Sequence, residues 1–267
     1  MRKIALIDGT GFSAQTMIAF NLAAELARNK KKVLLLDFRI KEWYYPGEVE
    51  QQAKAADIYH CMLENFSVQK YAHELEPNLF VLFGNKQILK IEFHLYYELL
   101  KRTYFEKYLR VEGYDYIFFL VSPMLNQLTM NVFSYGQEAM SIVPCTPDGY
   151  DYQQKMNRFL HYLRKFYAKE LFFSKVIPVY EQTLDMQTYG LFTSEMTKLL
   201  ITPALVLDTK APGFKAVLKH IITLILDDEK RFDSAYSSSE RQKYLDEYYH
   251  HLDKEKEREK KLVEFSF

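Results

Sequence analysis

Short apolar runs alternate with segments of helical periodicity along most of this 267-residue chain. Residues 4–7 and 33–36 are continuous apolar runs, the pattern of strands that are covered on both faces of a sheet. Between them, residues 16–29 place leucine and isoleucine on one side at the spacing of helical turns. Strand, helix and strand in such close succession predict a βαβ unit with a right-handed crossover.

The same alternation continues to about residue 226. Further strands are predicted at residues 79–83, 116–121, 139–143, 175–179 and 204–207. Further helices are predicted at residues 48–66, 91–109, 125–135, 149–169, 194–200 and 214–226. The alternation is typical of an α/β fold, a mainly parallel twisted sheet flanked by helices. Ligands of such sheets bind at the carboxyl ends of the strands, and the first of these ends is at residues 8–14.

The pattern changes after residue 226. Residues 240–261 are strongly charged, yet they carry one apolar helical face. This face consists of Leu245, Tyr248, Tyr249 and Leu252. We therefore expect an α/β domain over residues 1–226 and a charged C-terminal helical extension over residues 227–267.

The amino-acid composition argues against several classes of protein. There are 35 basic and 35 acidic residues, so no net field draws the chain toward nucleic acid or anionic lipid. The two cysteines, Cys61 and Cys145, form no disulfide or zinc-binding pattern, which fits a reducing compartment. No apolar run is long enough for a bilayer span or a signal sequence. We expect a cytoplasmic protein with no metal site and no membrane contact.

Aromatic residues are abundant, with 21 Tyr and 20 Phe. Tyrosine is favoured at protein interfaces, so one interpretation is a surface built for a protein partner. The other interpretation is a biased genome composition. An exposed aromatic loop is predicted at Trp43, Tyr44 and Tyr45.

The first βαβ unit and the later strands resemble the ParA/MinD family of deviant Walker A P-loop ATPases. The resemblance rests on residues 21–27 (NLAAELA), 32–37 (KVLLLD), 114–119 (YDYIFF) and 142–144 (IVP). It covers residues 1 to about 226 and implies the P-loop NTPase fold. It also implies ATP as the family's ligand and dimerisation or DNA binding as family activities.

The phosphate-binding loop of this family falls on residues 9–16. Such a loop binds phosphates through backbone N–H groups, a lysine contacts phosphate oxygens, and a Ser or Thr hydroxyl binds Mg²⁺. Gly9, Gly11 and Thr16 match the pattern. In contrast, the lysine position holds Gln15, which offers hydrogen bonds without a charge. Ala14 replaces the second glycine, and the family's signature lysine falls on Thr10.

Other functional positions of the family are changed as well. The aspartate that ends the second strand is retained as Asp37, but an acidic position two residues later holds Arg39. The Walker B aspartate falls on Leu120. Without the lysines and this carboxylate, little remains to stabilise charge in phosphoryl transfer. We therefore predict no catalytic residue and no ATP hydrolysis.

The nucleotide site is predicted to be vestigial. It would comprise Gly9, Gly11, Gln15, Thr16 and Asp37. Asp8 beside the loop would repel a phosphate, and Asp37 is expected to cap backbone groups or to pair with Arg39. No cofactor is expected, with weak binding of ATP and Mg²⁺ without hydrolysis as the alternative.

These features predict a non-catalytic ParA/MinD-like protein that is a structural or regulatory partner in an intracellular positioning, partition or assembly system. Its partners would be proteins, in a homodimer or in a heterodimer with an active homologue. The contact surfaces would be the aromatic loop at residues 43–45 and the apolar face at residues 245–252.

Two alternative functions stay open at this point. The first is a divergent, ATP-binding partition ATPase that uses Arg39 or Lys3 in place of the missing lysine. The second is a non-specific DNA-binding module that uses basic residues such as Lys210, Lys215 and Lys219.

Overall fold

Strands and helices alternate along the chain in the computed structural model. It describes residues 1–9, 12–39, 58–63, 67–84, 105, 109, 111–122, 127–136, 138–166, 172–195 and 200–235. The strands are β1 (Arg2–Asp8), β2 (Val33–Asp37), β3 (His73–Glu76), β4 (Leu79–Phe83), β5 (Tyr116–Val121), β6 (Glu138–Pro144), β7 (Phe172–Tyr180), β8 (Leu200–Ile201) and β9 (Leu205–Val206). The helices are α1 (Phe12–Arg28), α2 (Ile58–Leu63), α3 (Val68–Tyr71), α4 (Gln127–Tyr135), α5 (Pro147–Phe166), α6 (Met186–Glu195) and α7 (Pro212–Ala235).

The strands form one mainly parallel sheet, as the sequence predicts. Their order is β3-β4-β2-β5-β1-β6-β7-β8, and β9 also pairs with β7. The pairing is parallel except between β3 and β4. Asp37 of β2 lies beside Leu120 of β5, and Ile7 of β1 lies beside Val121 of β5. The carboxyl ends of β1, β2 and β5 therefore meet at one edge of the sheet.

The strands at the centre of the sheet are apolar, and they are buried. All five residues of β2 and all six of β5 are buried. One hydrophobic cluster joins Ile7 and Phe119 of the sheet to residues of α2, α4 and α5. Helix α1 packs against β1, β2 and β5, and its apolar side, with Ile18 and Leu22, is fully buried. This packing fixes the start of α1 at the carboxyl edge of the sheet.

Several described elements differ from the predictions, and α3 (Val68–Tyr71) and β8 (Leu200–Ile201) are not predicted at all. Strand β3 has the sequence HELE, which gives no apolar signal. It lies at the edge of the sheet, where its residues are half-buried or exposed. The helix predicted at 194–200 instead occupies Met186–Glu195 and is followed by β8. Helix α7 continues to Ala235, beyond the predicted end at residue 226, because no glycine or proline interrupts residues 227–235.

The chain forms two compact units, residues 1–220 and residues 221–267. The sheet belongs to the first unit. Among the described residues, the second unit consists of the part of α7 that follows residue 220. The domain boundary predicted at residue 226 stays a prediction. No described helix combines the length and apolar character that a bilayer crossing requires.

Candidate functional site

Polar side chains converge where β1 and β2 end and α1 begins. Asp8 is the last residue of β1 and Asp37 the last of β2, while Gln15 lies in the first turn of α1. Together with Arg39, these three side chains belong to residues with no exposed surface. Burying so many polar groups is costly unless they bond to one another. The contacts among them therefore define what the site can do.

The turn after β1 permits no side chain at Gly9. A Cβ placed there would lie 2.6 Å from a ring carbon of Tyr152, a residue of α5. The backbone N–H of Gly9 donates to the carbonyl oxygen of Ile142 at 2.8 Å, which extends the pairing of β1 with β6. Glycine is thus required for close packing, and its N–H group is already bonded within the sheet.

Arg39 makes a two-pronged ion pair with Asp37. Its Nε donates to Asp37 Oδ1 at 2.8 Å, and its Nη2 donates to Asp37 Oδ2 at 2.7 Å. The backbone N–H of Arg39 also donates to Asp37 Oδ1 at 3.1 Å. Neither side chain has exposed surface. A planar guanidinium suits this arrangement because its donors match both oxygens of a carboxylate.

Gln15 connects this ion pair to the sheet. Its Nε2 donates to the carbonyl oxygens of Leu6 at 2.6 Å and Val121 at 3.2 Å. Its Oε1 accepts a hydrogen bond from Arg39 Nη1 at 2.5 Å. The amide thus uses both ends inside the protein. A neutral side chain suits this place because it adds no further charge to the interior.

Thr16 also contacts Arg39. Its hydroxyl oxygen accepts a hydrogen bond from Arg39 Nη2 at 3.1 Å. We call Gln15, Thr16, Asp37 and Arg39 the Arg39 network. The four residues come from α1, from β2 and from the segment after β2, so the network ties the first helix to the second strand.

Burial dominates the electrostatics of the network. It raises the pKa of the Asp37 carboxyl, and the charge and hydrogen bonds of Arg39 act in the opposite direction. The guanidinium remains charged at any ordinary pH. The pair therefore keeps its ionic form only while both partners stay together, because either charge alone would be buried without compensation.

Asp8 lies at the start of α1. Its Oδ2 accepts a hydrogen bond from the backbone N–H of Gln15 at 3.2 Å. The phenol of Tyr152 lies nearby. Burial, and then the charge of the Asp8 carboxylate, raise the pKa of Tyr152 well above its ordinary value. The Tyr152 hydroxyl is buried and has no hydrogen-bond partner among the described residues.

The structure brings three of the predicted site residues together, namely Gln15, Thr16 and Asp37. Both roles considered for Asp37 are found: it pairs with Arg39, and its Oδ1 also accepts a hydrogen bond from the backbone N–H of Arg39. The suggestion that Lys3 replaces the missing lysine is wrong. Lys3 lies at the other end of β1, where its Nζ is 3.7 Å from the centre of the Tyr135 ring.

Several predicted residues lie outside the described part of the chain. These are Gly11 of the loop and the partner-binding residues Trp43, Tyr44, Tyr45, Leu245, Tyr248, Tyr249 and Leu252. Sequence reasoning also missed the contact of Tyr152 with Gly9. Tyr152 lies in a helical pattern far along the chain, and no local motif distinguishes it from other core aromatics.

The sequence matches a known family over most of its length. A family model described as an AAA domain matches residues 1–173. No curated protein matches the sequence.

Solved structures with the same fold come from several bacteria. Cobyrinic acid a,c-diamide synthase from Mycobacterium smegmatis superposes with a TM-score of 0.72 at 14% identity, covering 88% of this chain and 97% of that one. A plasmid partition protein from Borrelia burgdorferi, bound to AMPPNP, gives a TM-score of 0.66 at 18% identity, covering 85% and 99%. An ATP complex of a McdA variant from Cyanothece gives a TM-score of 0.63 at 12% identity, covering 82% and 87%. At these identities the likeness establishes the fold alone.

Proposed function

This chain belongs to the AAA domain family, among the P-loop ATPases of the ParA/MinD type, and we propose that it is a non-catalytic member. It serves as a structural or regulatory partner in an intracellular positioning, partition or assembly system. The observation that carries the proposal is the Arg39 network, in which the residues at the family's catalytic positions bond to one another. The likeness to a plasmid partition protein supports the kind of process.

The side chains of the site do not fit a magnesium-bound nucleotide. The lysine position holds Gln15, whose amide bonds to two strand carbonyls and to Arg39. The hydroxyl of Thr16, which would face Mg²⁺, accepts from a guanidinium, and a cation beside it repels a metal ion. Asp37 is neutralised by Arg39. The groups that phosphoryl transfer needs are thus either replaced or engaged.

Recruiting Arg39 to a phosphate would have a large cost. Its guanidinium would have to leave Asp37, and breaking a buried ion pair of this kind costs about 3–5 kcal/mol. A ligand that depends on that release loses this amount from its binding free energy. At 1.4 kcal/mol per factor of ten, affinity falls by roughly 100-fold to 4,000-fold. The network therefore acts against nucleotide binding as well as hydrolysis.

A member of this kind has its state set by its partners, because no nucleotide cycle is available to switch it. Protein partners, in a homodimer or in a heterodimer with an active homologue, are part of the proposal. We also propose a cytoplasmic location. The predicted contact surfaces at residues 43–45 and 245–252 remain predictions.

The proposal is tested by titrating the purified full chain with a fluorescent ATP analogue, with and without Mg²⁺. We expect no saturation up to about 0.1 mM, since an affinity loss of roughly 100-fold to 4,000-fold moves even a site with a micromolar Kd to between about 0.1 and 4 mM. Light scattering in parallel should give one oligomeric state with and without ATP and Mg²⁺. Saturable, Mg²⁺-dependent binding with a Kd well below about 0.1 mM would contradict the proposal.

A second candidate function is a divergent ATPase that uses Arg39 as its phosphate-binding cation. The position of the guanidinium, 3.1 Å from the Thr16 hydroxyl, is the observation in its favour. Arg39→Met separates the two functions. If Arg39 blocks the site, the variant binds the analogue more tightly than the wild type, whereas if Arg39 binds phosphate, the variant binds more weakly.

DNA binding is a third candidate. Lys210, Lys215 and Lys219 are exposed around the start of α7. A filter-retention assay with duplex DNA at 50 and 200 mM salt tests it, because phosphate contacts make binding fall steeply with salt. Replacing the three lysines with glutamine should then abolish retention, and equal retention before and after the replacement would exclude this surface.

A further inference from the structure

Buried polar oxygens without a hydrogen-bond partner gather at one interface of the fold. Among the described residues, the buried side-chain oxygens that lack a partner are Glu138 Oε2, Ser141 Oγ, the Tyr152 hydroxyl and Gln153 Oε1. The last three belong to the middle of β6 and to the second turn of α5. Folded proteins leave few such groups, because an unsatisfied buried oxygen is costly. Three of them at one contact point to a ligand that is not part of the chain.

Ser141 lies on the face of β6 that α5 covers. Side chains alternate along a strand, so Ser141 points to the same side of the sheet as Ala139 and Val143. These two neighbours belong to different hydrophobic clusters, and Tyr152 packs against both clusters. Helix α5 also packs against β6. Tyr152 therefore lies over the part of β6 that contains Ser141, and Ser141 has no exposed surface.

The two helix residues are held in place by their other contacts. The ring of Tyr152 lies against Gly9, where an added Cβ would come within 2.6 Å of a ring carbon. Gln153 is fully buried, and its Nε2 donates to Asn157 Oδ1 at 2.8 Å. Turning either free oxygen toward solvent would break this packing or this hydrogen bond. Both oxygens must therefore find a partner inside the protein.

The chemistry of the three oxygens suits water. Each hydroxyl can donate one hydrogen bond, whereas the amide oxygen of Gln153 only accepts. Burial, and then the charge of Asp8, raise the pKa of the Tyr152 phenol, so it keeps its proton and remains a donor. A water molecule both donates and accepts, and a buried one makes about three hydrogen bonds to groups that are otherwise unsatisfied.

We propose that ordered water binds between β6 and α5, hydrogen-bonded to Ser141 Oγ on the sheet and to the Tyr152 hydroxyl and Gln153 Oε1 on the helix. None of these oxygens carries a charge, so they favour a neutral ligand over an ion. The water holds the second turn of α5 on the sheet, and with it the Tyr152 ring over the turn at Gly9. This inference goes beyond the proposed function and does not depend on whether a nucleotide binds.

Removing single oxygens tests the proposal through the sign of the effect on stability. Tyr152→Phe and Ser141→Ala each delete one oxygen and little else. If water is bound, each variant loses a hydrogen bond, and the folded-to-unfolded ratio should fall by about 2-fold to 10-fold. If the oxygens are unsatisfied, deleting one relieves its burial cost, and the ratio should rise by about 5-fold or more. The assay is urea unfolding of the full chain, and an unchanged or raised ratio for either variant would overturn the proposal.

Two matched variants calibrate these effects. Tyr135→Phe removes a phenolic hydroxyl that donates to the carbonyl oxygen of Leu109 at 3.4 Å. It should lower the ratio by an amount similar to that of Tyr152→Phe, because both hydroxyls then have an acceptor. Ser194→Ala removes an exposed hydroxyl, and it should change the ratio by no more than about 2-fold.

A crystal structure that resolves ordered solvent gives the direct readout. We expect a solvent peak within about 3.2 Å of Ser141 Oγ and of at least one of the two helix oxygens. A structure with no solvent peak at this place would overturn the proposal. The nucleotide titration has no bearing on this peak, so failure of the water site and failure of the proposed function are told apart.

Discussion

Replacing Arg39 with methionine tests how strongly the Arg39 network holds the fold. The side chain of Arg39 donates hydrogen bonds to both oxygens of Asp37, to Gln15 and to Thr16. Methionine removes these donors and the positive charge but keeps an unbranched apolar stem. The change leaves the Asp37 carboxylate buried without its cation, and it leaves the Oε1 atom of Gln15 without its donor.

The expected loss of stability is large. Removing one partner of a buried ion pair costs about 3–5 kcal/mol, and both residues here have no exposed surface. The double variant Asp37→Leu with Arg39→Met removes both charges and leaves the Gln15 oxygen without the donor that Arg39 supplies. That orphaned acceptor costs about 1–3 kcal/mol. The double variant should therefore be more stable than the single variant Arg39→Met.

The assay is urea unfolding followed by circular dichroism for the wild type, both single variants and the double variant. Arg28→Met is the matched control, because the ion pair of Arg28 with Glu25 at 3.1 Å is largely exposed. We expect the control to lose at most about 1 kcal/mol. A loss below about 1 kcal/mol for Arg39→Met, or a double variant less stable than the single one, would refute the argument.

Two further predictions concern glycine packing and thiol ionisation. A Cβ at Gly149 would lie 2.0 Å from the carbonyl oxygen of Pro144, whereas one at Gly190 would meet nothing within 4 Å. Gly149→Ala should thus lower the free energy of unfolding by about 3 kcal/mol or more. Gly190→Ala, within α6, should raise it by about 1 kcal/mol. Equal effects of the two substitutions in urea unfolding would contradict this difference in packing. Burial, and then the charge of Asp185, raises the pKa of Cys145 to about 11 from an ordinary 9.0. Alkylation of this thiol at about pH 8 should be roughly 100-fold slower in the folded than in the unfolded chain, because the thiolate is the reactive form. Asp185→Asn should speed the reaction of the folded chain. Equal rates in the folded and the unfolded chain would contradict the raised pKa of Cys145. Since the unfolded thiol ionises first as pH rises, this group also lowers stability between about pH 9 and about pH 11.

The sequence predicts the sheet well because its central strands are continuous apolar runs. Strands β2 and β5 are covered on both faces, and such strands leave a plain signal. Strand β3 gives no such signal, because the polar sequence of this edge strand is also typical of a loop. The predicted end of α7 lies too early in the chain, since the change of composition at residue 226 is not a structural boundary of that helix.

The site is predictable in part. The substitutions at residues 15, 39 and 120 can be seen in the sequence once the loop frame is placed, and pairing of Asp37 with Arg39 is one of two roles that they suggest. The links from Arg39 to Gln15 and Thr16 are long-range contacts, and no spacing rule gives their geometry. The same holds for Tyr152, which reaches the loop from a helix that lies far along the chain.

If the site is closed to nucleotides, Arg39 stays bound to Asp37 when a nucleotide is added. A buried guanidinium exchanges its protons slowly, so the Nε–H signal of Arg39 in a ¹⁵N-labelled chain reports this contact directly by NMR. Its assignment comes from the loss of the signal in Arg39→Met. With millimolar ATP and Mg²⁺ added, we expect an unchanged chemical shift. A saturable shift of that signal, which Mg²⁺ removal reverses, would contradict it.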